Sequence, residues 1–299
     1  METESAATVR PTKLLLFSGS LVPSLVAGAL AWSEGSFSLA VFMLLLLGVL
    51  LGQTGGDYAY YYLTNEYSSR RGEQASVLPP LRPLLAETHL RGRGLLVAGG
   101  LCLLADLVLA IYFTFKAGVL VVALAMAGGL LALLFAPLVR LGLREVAVFL
   151  AFGPLPVIGV HYVLTGRVSL EALAASAPLG LWVAVIGHFK GAYQQLMPEC
   201  PSARRLTLGE RKVTVLYVLA YMSLMGGVAA RLMPVATLLA LATIPFAIGT
   251  VRVMRRRSGP TADYFLATVW SIITLLSGGL LMAAGYVIPL VGTAAATSP

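Results

Sequence analysis

Gly52-Gln-Thr-Gly-Gly-Asp57-Tyr-Ala-Tyr-Tyr-Tyr-Leu-Thr-Asn65-Glu66-Tyr67-Ser-Ser-Arg70-Arg71-Gly72-Glu73 begins in apolar chain and ends in charge. It sets an acid at the edge of an apolar segment, then a run of tyrosines, then acids mixed with arginines. Apolar segments recur on both sides of it, so it reads as a hydrophilic connection at the mouth of a membrane bundle. Acids and bases in such a place can hold a metal ion or a phosphate.

Composition supports the membrane reading. Of 299 residues, 58% are hydrophobic and only 11% charged, against about 25% charged in an ordinary soluble domain. The apolar stretches are too many for a cleaved signal peptide. The net charge of +8 does not indicate a nucleic-acid partner, because excess Lys and Arg in a membrane protein first reports orientation. Cys102 and Cys200 give neither a disulfide pattern nor a metal spacing. The polar stretch 1–9 is expected to be a frayed tail. The rest reads as a single membrane domain within 1–299.

Apolar runs of membrane-spanning length predict nine helices, at about 14–32, 38–56, 94–113, 118–136, 145–164, 170–188, 213–230, 233–250 and 264–286. The expected fold class is therefore all-α, a polytopic membrane helical bundle. With the N-terminus in the cytoplasm, 18 of the 21 Lys and Arg residues fall on the inner side, and only Lys116, Arg167 and Arg231 fall outside. That split predicts an integral multi-pass protein of the cell (inner) membrane, N-terminus inside and C-terminus outside. Two inner connections are long, about 57–93 and 189–212, and each follows an even-numbered span. Long loops in a compact bundle are usually functional. Two solvated loops that only satisfy the positive-inside rule would give the same pattern.

Several residues carry possible chemistry. Asp57, Glu66 and Glu73 can hold Mg²⁺, which takes one or two carboxylates together with substrate phosphates; they can equally offset Arg70 and Arg71. Glu199 and Glu210 lie near Lys190, Arg204 and Arg205, side chains suited to clamping a diphosphate or simply to fixing orientation. Asp106 lies mid-span, either as a functional group or as a protonated acid bonded to a neighbouring helix. His161 and His188 fall near the ends of their spans without a third metal ligand at suitable spacing, and read as interfacial. Tyr58, Tyr60, Tyr61 and Tyr62 form either an interfacial belt or the wall of a cation-stabilising cavity. No nucleophile triad, P-loop or dinucleotide fingerprint stands out.

Other stretches carry a family resemblance. Val9-Arg10-Pro11-Thr12-Lys13 leading to Leu21-Val22-Pro23, Phe135-Ala136-Pro137-Leu138-Val139-Arg140, and Ala203-Arg204-Arg205-Leu-Thr-Leu are three of them. The most specific is Gly142-Leu-Arg-Glu145 through Gly153-Pro154, with His161-Tyr162-Val-Leu-Thr165-Gly166. Together the chain resembles the UbiA-type intramembrane prenyltransferases, within them the branch that prenylates dihydroxynaphthoate for menaquinone. The resemblance implies a nine-helix bundle, two cytoplasmic Asp-rich motifs that bind Mg²⁺ and an isoprenyl diphosphate, and a lipid-open cavity for the prenyl chain.

The motifs depart from the family's. Where the first motif has Asn-Asp-x-x-Asp, this chain has Asn65-Glu66-Tyr67-Ser68-Ser69. A frame anchored on Gln53 instead sets Tyr60, Tyr61 and Thr64 at the acidic positions, with Asp57 upstream. In the second motif Gln195 and Glu199 stand at the two Asp positions, and the motif's start falls near Lys190. The resemblance thus implies Asp57, Glu66 and Glu199 as catalytic and Mg²⁺-binding acids. It implies Asn65, Arg70, Arg71, Arg140, Lys190, Gln195, Arg204 and Arg205 as substrate-binding residues. The expected activity is transfer of an isoprenyl group from an allylic diphosphate to an aromatic acceptor. The alternative is an inactive relative that binds quinone, prenyl lipid or pigment in a membrane complex; a cyclase is a third possibility.

Overall fold

The computed structural model describes residues 12–70, 93–195, 203–256 and 260–296. Every element among them is helical: α1 (Thr12–Ser33), α2 (Leu39–Arg70), α3 (Arg93–Ala117), α4 (Leu120–Arg140), α5 (Arg144–Phe152), α6 (Pro154–Thr165), α7 (Leu170–Gln195) and α8 (Ala203–Ala229). A 3₁₀ segment (Val235–Thr243), α9 (Ile244–Arg256) and α10 (Pro260–Ala296) complete the chain. Eight stretches are long and apolar enough to cross a bilayer, and Phe17–Ser33 is a shorter ninth. They coincide with the nine expected spans, and the polytopic membrane bundle stands.

Two spans are built from two pieces. The fifth is α5 followed by α6, broken at Gly153. Pro154 has no N–H to continue the first helix, and its fixed φ starts the second. The break also serves packing. A Cβ on Gly153 would lie 2.7 Å from the Cα of Gly180 on α7 and 2.9 Å from the carbonyl of Ser176. The eighth span opens as the 3₁₀ segment after Pro234 and becomes α-helical at Ile244.

Two elements overrun the expected connections. Residues 57–70 were expected to lie in the first long loop, yet α2 continues through Arg70. Polarity marks the membrane boundary, but it does not end a helix. There is no Gly or Pro between Asp57 and Arg71, and the first breaker is Gly72. Likewise α7 runs to Gln195, and α8 resumes at Ala203, just past Pro201. Residues 189–195 and 203–212, expected in the second loop, are therefore helical, while 71–92 and 196–202 lie outside the described residues.

The core forms around α1, which packs against α10, α6, α2 and α7. Val22, Val26 and Ala27 are buried there. Small residues let the helices approach, as membrane packing requires. The Trp182 ring on α7 lies against Gly278 of α10, and Val22 lies against Gly279. Polar side chains find partners across helices instead of facing lipid. The Tyr217 hydroxyl is 3.1 Å from Ser271 Oγ on α10 and 3.2 Å from Thr250 Oγ1 on α9. Helices α3 and α4 sit at the edge, with only 11% and 6% of their spans buried. Their apolar residues form a lipid-facing wall.

Candidate functional site

The described residues among those predicted from the inner loops fall at one end of the bundle. This basic end holds the end of α2, the start of α3, the end of α4, the start of α5, the end of α7 and the start of α8. Helical register defines its depth. Gly56 of α2 faces Ala132 of the parallel helix α4, where a Cβ added to Gly56 would lie 3.6 Å from that of Ala132. Eight residues further along each helix, Arg140 stands level with Thr64, beside the Asn65-Glu66 step. Helix α3 runs antiparallel to the same stretch, with Tyr58 against Gly99 and Leu103 against Gly55. The Cβ of Tyr58 therefore lies against α3.

The predicted residues separate accordingly. Asp57 is half-buried on α2, and Arg140 is exposed at the end of α4. Asn65, Glu66 and Arg70 belong to the helical extension of α2, Lys190 and Gln195 to α7, and Arg204 and Arg205 to the first turn of α8. Arg71 and Glu199 lie outside the described residues. Among the described residues, no three of His, Cys, Asp and Glu converge as metal ligands.

Other acids at this end are engaged elsewhere. Glu145, in the first turn of α5, accepts from His188 Nδ1 at 2.8 Å and lies 3.5 Å from Lys212 Nζ. It thereby joins α5, α7 and α8. Glu210 Oε1 accepts from Arg255 Nε at 2.6 Å, tying α8 to α9. Sequence reading grouped Glu210 with the loop acids and did not single out Glu145. The signal for both is register: antiparallel neighbours bring the early turns of one helix level with the late turns of the other.

Asp106 lies half-buried on α3, with its carboxyl against the glycine face of α2. A Cβ on Gly52 would be 3.0 Å from Oδ2. It contacts a neighbouring helix well inside the span rather than any group of the basic end. His161 is not interfacial, for its side chain is fully buried at the opposite end. Its Nε2 lies 3.1 Å from Glu34 Oε2, and Arg167 Nη2 reaches the same oxygen at 2.9 Å. The turn between α1 and α2 is thus fastened to the one between α6 and α7. Hydrogen bonding to Glu34 raises the Arg167 pKa above its usual value, so the exposed guanidinium stays charged at any physiological pH.

The model of the UbiA prenyltransferase family matches residues 20–272, most of the chain. The chain belongs to the UbiA prenyltransferase family. The match takes in every candidate site residue and the stretch Gly142 to Gly166, while Val9 to Lys13 lie before it. No curated protein matches the chain significantly. Membership supports membrane prenyltransferase activity and, with the nine apolar helices, a multi-pass membrane protein.

Proposed function

We propose that this UbiA family protein transfers an isoprenyl group from an allylic diphosphate to a ring carbon of an aromatic, quinone-precursor-like acceptor, at its basic end. The observation that carries the reading is the register of α2 against α4 within a family-wide match. Counted eight residues onward from the Gly56–Ala132 contact, that register supports an arginine near the Asn65-Glu66 step. Resemblance along 142–166 favours a dihydroxynaphthoate-type acceptor.

In the reaction the allylic C–O bond breaks and the diphosphate leaves with the electron pair. A ring carbon of the acceptor bonds to the allylic cation, and the ring then loses a proton. Arg140, Arg204 and Arg205, with Lys190, bind the diphosphate and stabilise its growing charge, Arg through two-pronged hydrogen bonds and Lys as a point charge. Asn65 and Gln195 orient its oxygens, and Arg70 and Arg71 extend the positive field. Carboxylates at the mouth of the bundle suit Mg²⁺, and Asp57, Glu66 and Glu199 are the residues to hold it. Bound there, the ion would neutralise charge on the leaving diphosphate. The inner face is taken as cytoplasmic.

An inactive, ligand-binding relative is the second reading. Ser69 and Gln195 favour it, because they stand where the family has Asp. The deciding assay is prenyl transfer by purified protein in detergent, with a panel of allylic diphosphates and aromatic acceptors, with and without Mg²⁺. Turnover that disappears in E66Q or E199Q supports the enzyme. No turnover and no diphosphate binding under any condition leaves the inactive reading.

A further inference from the structure

The ion-pair cluster on α5 has no part in the chemistry just described. Glu145 is 17% exposed, His188 12% and Lys212 56%. Among the described residues, His188 Nε2 is buried without a hydrogen-bond partner. An ionised carboxylate at Nδ1 requires Nδ1 to carry the hydrogen. One carboxylate oxygen therefore takes a hydrogen from α7 and faces a cation from α8.

The location gives this arrangement its consequence. His188 precedes Gln195 by seven residues, and Lys212 follows Arg205 by seven. Seven residues are close to two helical turns, so each anchor lies two turns below a residue assigned to the diphosphate. The connection between α7 and α8 is thus rooted at both ends on a single side chain of a third helix. The α7 backbone at Gly187 packs closely on α5, since a Cβ there would lie 2.9 Å from Val148 Cγ2.

We infer that Glu145 is a positioning residue. Through His188 and Lys212 it sets the separation of the α7 and α8 ends, and so the geometry of Lys190, Gln195, Arg204 and Arg205 around a diphosphate. The inference rests on the proposed function for its substrate, but the clamp itself does not.

Its test uses full-length protein in detergent, with Cys102 and Cys200 replaced by Ser. Nitroxide labels at positions 194 and 208 report the distance between the helix ends, and pyrophosphate is the binding probe. In E145A the distance distribution should broaden and pyrophosphate affinity should fall by about tenfold, the scale of one charge-assisted hydrogen bond. If turnover is present, KM for the allylic diphosphate should rise in parallel while kcat changes by less than about threefold. E145Q keeps shape and one acceptor, and should fall between; K212R should recover what K212A loses. A distance distribution unchanged in both E145A and E145Q overturns the clamp. A changed distance with unchanged pyrophosphate affinity overturns its link to the substrate. Wild type without binding or turnover, but with a distance that responds to E145A, sinks the proposed function and leaves the clamp standing.

Discussion

Replacing Gly153 with Ala tests whether the break in the fifth span is held by contact with α7 or only by Pro154. The new Cβ would meet the Cα of Gly180 at 2.7 Å, the carbonyl of Phe149 at 2.8 Å and that of Ser176 at 2.9 Å. Ordinary carbon contacts need about 3.5–4.0 Å. The helices must therefore part by roughly 1 Å, and backbone atoms cannot rotate aside as a side chain can. Overpacking of this kind costs about 1–3 kcal/mol. Gly129→Ala is the control, because its site is exposed with nothing within 4 Å. Mid-helix Ala is favoured over Gly by about 0.5–1 kcal/mol, so G129A should be neutral or slightly stabilising. The measurement is unfolding in mixed micelles with rising dodecyl sulfate, followed by tryptophan fluorescence. Expected is a clear loss for G153A and none for G129A. A G153A protein as stable as wild type would refute the close approach of α5–α6 to α7.

Glu34→Ala should destabilise by about 1–3 kcal/mol, because it leaves the buried His161 ring without its carboxylate; Arg167→Ala, at an exposed side chain, should change little, and thermal unfolding compares them. A reporter fused after Pro299 should read as outside the cell, and a cytoplasmic signal would mean that the spans were miscounted by an odd number. Arg140→Ala should weaken pyrophosphate binding only a few-fold, since the side chain is exposed and screened by solvent, and a titration in detergent measures it. In the same titration, chelating Mg²⁺ should reduce binding less than the loss of Arg204 and Arg205 together.

The number of spans was legible because a bilayer demands long apolar runs, and this chain supplies nine. Where a span breaks was not. Pro23, Pro137 and Pro178 sit inside the unbroken helices α1, α4 and α7, whereas Pro154 follows a break. The difference at Gly153 is a neighbour, Gly180, 27 residues away. The length of α2 was misjudged for a related reason. Charge and tyrosine at 57–70 were read as a loop, but helices end at breakers and caps, and that stretch has none. The pairing of Glu145 with His188 needed the register of α5 against α7, which no run of residues encodes locally. His161 was placed near a boundary by counting along its span, and counting cannot tell a wet boundary from a buried ring held beside a carboxylate.

Charge arithmetic bears on how such a site works with so few acids. By the topology read from the sequence, the inner side holds 18 bases against eight acids, leaving aside the acids of the stretch 1–9. Of those eight, Glu145 and Glu210 already face cations within 3.5 Å. Carboxylates held in this way are poor metal ligands, because recruiting them would strand a base. The acids proposed for Mg²⁺, Asp57 and Glu66 on α2 and Glu199 in the connection after α7, suit one ion better than two. The same excess of bases creates a positive field at the mouth of a low-dielectric bundle, where an anion is attracted before any metal contact forms. On the proposed function, a diphosphate entering this end would meet arginines first, and the loss of aspartates from the two motifs would remove less binding than it would from a neutral surface. The basic residues that fix orientation in the membrane are then also the residues that can replace part of the metal's work.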